Sequence, residues 1–210
     1  MSSIVVAGDT SGSITIAAPA VAGSGTLTLP VATDTLIGKA TTDTLTNKSI
    51  AATQLTGTIA AARLPAGSVL QVVNGTYATL VSNATSTYIT TGLTASITPS
   101  STSSKIMIFA NMVGVGKNSN TASNSVSLRL YRGASSIIGF EDIGGYTATS
   151  LQNYVGTCAT TYLDSPATTA ATTYTVYFAS PVNAATVYVQ NYYNAQANAT
   201  STITLMEIAG

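Results

Sequence analysis

The chain has 210 residues, only 7% of them charged, with seven Lys and Arg against seven Asp and Glu. A formal net charge of zero excludes the basic footprint of a nucleic-acid or anionic-membrane binder. There is no histidine and one cysteine, Cys158, which excludes Ser-His-Asp and Cys-His nucleophilic sites, His/Cys zinc sites and an internal disulfide.

The first stretch, MSSIVVAGDTSG, lacks the basic start and long apolar core of a secretory signal. Mean hydropathy is +0.35, yet no run approaches the ~18 apolar residues of a membrane-spanning helix. Residues 1–66 contain no aromatic side chain, whereas all 11 Tyr and 3 Phe fall between Tyr77 and Tyr193. Aromatics supply much of a small domain's buried area, so residues 1–66 are expected to form an N-terminal arm that borrows its core from other copies of the chain. Within it, Ser13-Ile14-Thr15-Ile16-Ala17 and Thr26-Leu27-Thr28-Leu29 alternate polar and apolar residues at the strand period. Pro19, Gly23-Ser24-Gly25 and Pro30 punctuate them, which predicts a hairpin between the two. Asp34 to Lys48 is polar and turn-rich, and residues 51–66 suit either one helical turn or an extended linker.

From Gly67 onward the pattern becomes repeated strands. Val69 to Leu80 reads as a strand with a bend or hairpin turn at Asn74-Gly75, and Thr87 to Ile97 is stopped by Pro99. Lys105 to Ala110 is a nearly continuous apolar run, followed by a polar loop over Lys117 to Asn124. Ser125 to Tyr131, Ser136 to Phe140, Leu151 to Leu163, Thr173 to Ala179, Ala185 to Tyr192 and Ser201 to Ile208 complete the set. About eight to ten strands without helical periodicity predict an all-β sandwich or barrel over residues 67–210.

Several segments resemble those of tailed-bacteriophage fibres. They are Asp9-Thr10-Ser11-Gly12-Ser13-Ile14-Thr15-Ile16, Gly25-Thr26-Leu27-Thr28-Leu29-Pro30, Thr44-Leu45-Thr46-Asn47-Lys48-Ser49-Ile50 and the run from Gln54 to Gln71. Leu128-Arg129-Leu130-Tyr131-Arg132-Gly133 and Ile203-Thr204-Leu205-Met206-Glu207-Ile208 are similar to parts of the jelly-roll heads of such fibres, themselves similar to trimeric tumour-necrosis-factor-like modules. The resemblance implies a homotrimeric, non-enzymatic virion fibre: the arm joins other virion structural proteins, and a C-terminal antiparallel β-sandwich head attaches to the host surface, with a surface glycan as a possible receptor. It implies no catalytic residues, cofactor or metal, and no nucleic-acid or membrane partner. A capsid cement or decoration protein is the alternative for a chain of this length.

Asn111 to Asn118 contains Gly116-Lys117 after an apolar strand, but lacks the first Gly and the Ser/Thr of a phosphate-binding loop, and is expected to be a strand-to-loop turn. Glu141-Asp142 is the one adjacent acidic pair, and neighbours on a strand point to opposite faces, against a shared hydrolytic site. Asp164 or Glu207 could be brought near that pair by folding. Arg129 and Arg132 are expected on opposite faces, one pairing with Glu141 across a hairpin. Cys158 is expected to pack as a small hydrophobe, and Asp142 and Asp164 are oxygen ligands that nothing obliges to hold a cation. The sequons at Asn47, Asn74, Asn83 and Asn198 are read as unglycosylated. The binding candidates are tyrosines in loops at the sandwich end: Tyr146, Tyr192 and Tyr193, whose flat faces and hydroxyls suit a sugar ring.

Overall fold

A computed structural model describes residues 3–7, 11–17, 24, 31, 49–51, 53, 57, 59–60, 63–118, 123–147, 152–181, 185–191 and 200–210. Among the described residues the protein is all-β, without an α-helix, and so without a helix long and apolar enough to cross a membrane. The chain divides into two compact units, Met1–Thr56 and Gly57–Gly210.

In the first unit, β1 (Ser3–Ala7) and β2 (Ser13–Ala17) form an antiparallel hairpin, Ser3 facing Ala17 and Ala7 facing Ser13. The expected pairing of Ser13–Ala17 with residues 26–29 falls outside the described residues. The short connection between β1 and β2 costs little entropy to close, and Gly12 adopts the left-handed φ of 79° beside β2. Val5 and Val6 remain 60% and 56% exposed on the hairpin. Residues 34–48 and most of 51–62 also lie outside the description.

The second unit holds two antiparallel sheets packed face to face. One sheet has the order β3 (Val69–Tyr77), β12 (Ser201–Ile208), β6 (Lys105–Asn118), β11 (Val187–Val189), β4 (Val81–Asn83), and β9 (Gln152–Asp164) pairs along the other side of β6. The other sheet has the order β5 (Ile89–Ile97), β10 (Thr172–Ala179), β7 (Val126–Arg132), β8 (Ser135–Gly144). Alternation along each strand fills the space between them. Leu93, Ala95 and Ile97 of β5, Leu128 and Leu130 of β7, and Tyr174, Val176 and Phe178 of β10 meet Ile106, Ile108 and Met112 of β6 and Ile203 and Leu205 of β12. Each such large side chain contributes about 1.5–3 kcal/mol by leaving water. The two ends of the unit are fastened together: Gly67 N–H donates to the Ala209 carbonyl and Ala209 N–H to that of Ser68, both at 2.8 Å.

Three local expectations are corrected. Asn74-Gly75 is no turn; β3 runs straight through it, because the Thr94 carbonyl of β5 occupies the place where a Cβ of residue 75 would stand. The glycine therefore marks a close approach of two strands. Asn111 to Asn118 is likewise strand rather than turn: β6 continues to Asn118 with irregular pairing to β9 around Val115. β11 stops at Val189, short of Tyr192, because Gln190 turns to a φ of 53°. The Gln190 and Asn191 amides then donate to the carbonyls of Val113 and Gly114 at 2.9 and 3.0 Å.

Candidate functional site

Of the three tyrosines proposed from the sequence, Tyr146 is 47% exposed on the turn after β8, its amide donating to the Ile143 carbonyl at 3.0 Å. Tyr192 and Tyr193 lie outside the described residues. The structure gathers other aromatics instead, on the outer face of the β5-β10-β7-β8 sheet. Arg129 and Tyr131 point outward from β7 because Leu128 and Leu130 point in, and Tyr177 does the same between Val176 and Phe178 on β10. Tyr177 faces Arg129 across the ladder, and the Tyr131 and Tyr177 rings stack with centroids 4.2 Å apart. The Arg129 guanidinium lies 4.2 Å above the Tyr88 ring, a cation–π contact.

Tyr88 also begins a hydroxyl relay. Its Oη is 2.6 Å from Ser127 Oγ, and Ser127 Oγ donates to Asp142 Oδ1 at 3.1 Å. An ionised carboxylate only accepts, so the direction is Tyr88 to Ser127 to Asp142. Beside the relay, an open groove of about 740 Å³ runs along β7 and β8, lined by Ser127, Arg129, Gly139 and Asp142 with Ile137 and Phe140. Ile143, to which Tyr146 is tied, lines it too. The sequence reading missed this set because Tyr88, Arg129 and Asp142 are far apart in the chain. The period-two pattern of β7 and β10 was the signal that shared out their faces.

The acidic pair separates as its strand geometry requires. Glu141 turns back to accept from the Asp142 and Ile143 amides at 3.1 and 3.2 Å, while Asp142 faces Ser127. Arg132 does not pair with Glu141 as one option had it. Its Nη1 donates to both Asp164 oxygens at 2.9 and 2.8 Å, because Glu141 falls opposite Leu128 in the ladder and Asp164 closes the core's end. Tyr174 Oη donates to the same carboxylate at 2.7 Å, and burial together with that bond drives the phenol's pKa well upward. Asp164 is thus a structural anchor, and the described residues hold no cluster of three metal-ligating side chains.

Glu207 has a separate role. It is fully buried, and accepts from Gln71 Nε2 (2.6 Å), the Ser100 amide (2.6 Å), Ser100 Oγ (2.7 Å) and Ser104 Oγ (2.7 Å). Burial pushes its pKa up, but the hydrogen bonds outweigh it and hold the carboxyl below the ordinary glutamate value. Cys158 is buried and packs in the core, its thiol raised to about 11 by burial and by Glu141 nearby. Lys117, the lysine of the false phosphate loop, is enclosed, and burial lowers its pKa. Asn83 is tied down at both ends of its amide, donating to Thr87 and Phe178 carbonyls and accepting from Thr85, which leaves no free amide nitrogen for a glycan.

The outer face of the other sheet carries one apolar row. Val72, Met206, Met107 and Leu163 sit side by side across β3, β12, β6 and β9. The next row runs Asn74, Thr204, Phe109, Thr161. Val72, Leu163 and Phe109 are 54%, 44% and 42% exposed. No family model and no curated protein matches the chain.

Proposed function

We propose that the protein is a homotrimeric structural component of a bacteriophage virion, a short fibre whose sandwich forms a host-facing head and whose N-terminal unit joins other virion proteins. The observation that carries this reading is the row Val72, Met206, Met107, Leu163 with Phe109 beside it: an apolar stripe across four strands is the kind of face that subunits bury against one another. The exposed Val5 and Val6 support it from the other unit, since an isolated two-stranded hairpin is marginal in water.

The strand order supports a jelly roll. The eight main strands form the layers β3-β12-β6-β9 and β5-β10-β7-β8, and the chain passes between layers repeatedly as it does in a rolled double Greek key. Three-fold assembly rests on the resemblance to fibre heads. The exposed side chains suit a scaffold with a recognition face, and its proposed mechanism is multivalent attachment, in which three weak sites gain avidity without new contacts.

Light scattering of the full chain tests the assembly: three chain masses are expected, and a stable monomer overturns it. Labelled antibody on intact particles tests the location. Label on the tail supports the fibre; label on the shell assigns the protein to capsid decoration; particles without label overturn the virion reading.

A further inference from the structure

We propose that the β7–β8 groove is a saccharide-binding site that takes one pyranose unit of a surface polysaccharide, with Asp142 accepting from its hydroxyls and Arg129 donating to its oxygens. The inference rests on the attachment reading above and names the ligand class and the residues.

Four observations carry it. Asp142 Oδ1 is already fixed by Ser127, and Ser127 by Tyr88, so the carboxylate is oriented before any ligand arrives. Among the described residues, no hydrogen bond or ion pair engages Asp142 Oδ2 or the Arg129 guanidinium, whose contact is with the Tyr88 ring. Both groups line the same groove, next to the apolar side chains of Ile137 and Phe140. Finally, Gly139 stands opposite Arg129 in the ladder and presents no side chain to the space.

A preset acceptor, a fork of N–H donors and an adjoining apolar wall match a ring with hydroxyls on its rim and C–H bonds on its face. Other occupants fit less well. A phosphate would meet the Asp142 charge, and a cation would meet Arg129. A second copy of the chain has the apolar row of the opposite sheet to bury, whereas this groove carries the charged Arg129 and Asp142.

The test uses the full chain and saturation-transfer NMR with glucose, galactose, mannose and galacturonic acid, followed by an array of purified bacterial surface polysaccharides. Binding by the parent is expected to weaken about ten-fold or more in Asp142→Ala. It is expected to vanish in Gly139→Phe, where a Cβ meets nothing nearer than Arg129 Cγ at 3.9 Å. Unchanged mass and melting temperature in both variants show that the fold is intact. Arg129→Lys, which keeps the charge but not the planar fork, should bind with intermediate strength.

Absence of saccharide binding by the parent overturns the site, as does undiminished binding by Asp142→Ala and Gly139→Phe. A change of oligomeric mass in Gly139→Phe overturns it in favour of an interface between copies. The outcome separates from that of the virion reading. A trimeric, particle-borne protein that ignores every saccharide sinks the groove alone, and a saccharide-binding protein absent from particles sinks the fibre alone.

Discussion

Glu207 shows how a neutral, charge-poor chain can bury a carboxylate. Four donors from Gln71, Ser100 and Ser104 surround it, each charge-assisted and so stronger than a neutral bond. Glu207→Ala should cost about 3 kcal/mol or more, because those donors lose their acceptor inside the protein. Urea denaturation measures it. Since the folded pKa lies below the ordinary glutamate value of about 4.3, the carboxylate's contribution is complete above that pH. It is lost as the pH falls through the folded pKa, where the unfolded chain already binds the proton. Melting curves between pH 2 and 6 should therefore show a shallower acid loss in Glu207→Gln than in the parent; equal slopes would remove Glu207 as the source. The inward direction of Glu207 was not legible, because the alternation that points Ile203 and Leu205 inward breaks at Leu205-Met206 before the acid is reached. Its donors were no more legible, since Gln71 and Ser100 reach it only after folding. Gly92 is a second such residue: it has a φ of 83° and the Tyr77 ring fills the space of its Cβ. Gly92→Ala should lower the melting temperature, by about 1–3 kcal/mol of stability, for reasons absent from the sequence pattern.

At the scale of elements, the segments with clear alternation or continuous apolar runs appear where the chain predicts them. β12 covers Ser201–Ile208 and β10 covers Thr172–Ala179. What failed was the reading of Asn-Gly and Gly-Lys as chain reversals. Such dipeptides favour turns locally, but β3 and β6 continue because their ladders bond the backbone on through them. The pairing of β2 with β1 was not read from the chain, because Ser3–Ala7 is a short apolar run without the alternation that marks Ser13–Ala17. The outward faces of β12, β6 and β9 bear a further prediction. Phe109→Glu with Leu163→Glu should convert the assembled protein into a folded monomer, seen as a loss of mass in light scattering with its circular dichroism kept. An unchanged mass would mean that this face is not where copies meet.

The whole molecule divides into a hairpin-bearing unit and a sandwich. A chain beginning at Gly57 holds every strand from β3 to β12 and the clamp between Gly67, Ser68 and Ala209. It is expected to unfold cooperatively with a melting temperature close to that of the full chain's sandwich. Residues 1–56 alone should give no cooperative transition, as they contain no aromatic side chain; a sharp melt from that peptide as a monomer would contradict the need for copies. By itself the sequence determined what depends on neighbours along the chain: the all-β class, the strand periods, the inward and outward faces and the lack of histidine chemistry. Only the tertiary structure decided the strand order, the anchors at Asp164 and Glu207, the apolar stripe and the meeting of Tyr88, Ser127, Arg129 and Asp142. Period fixes which way a side chain points. Which strands lie beside it depends on contacts between distant residues, and no local pattern encodes those.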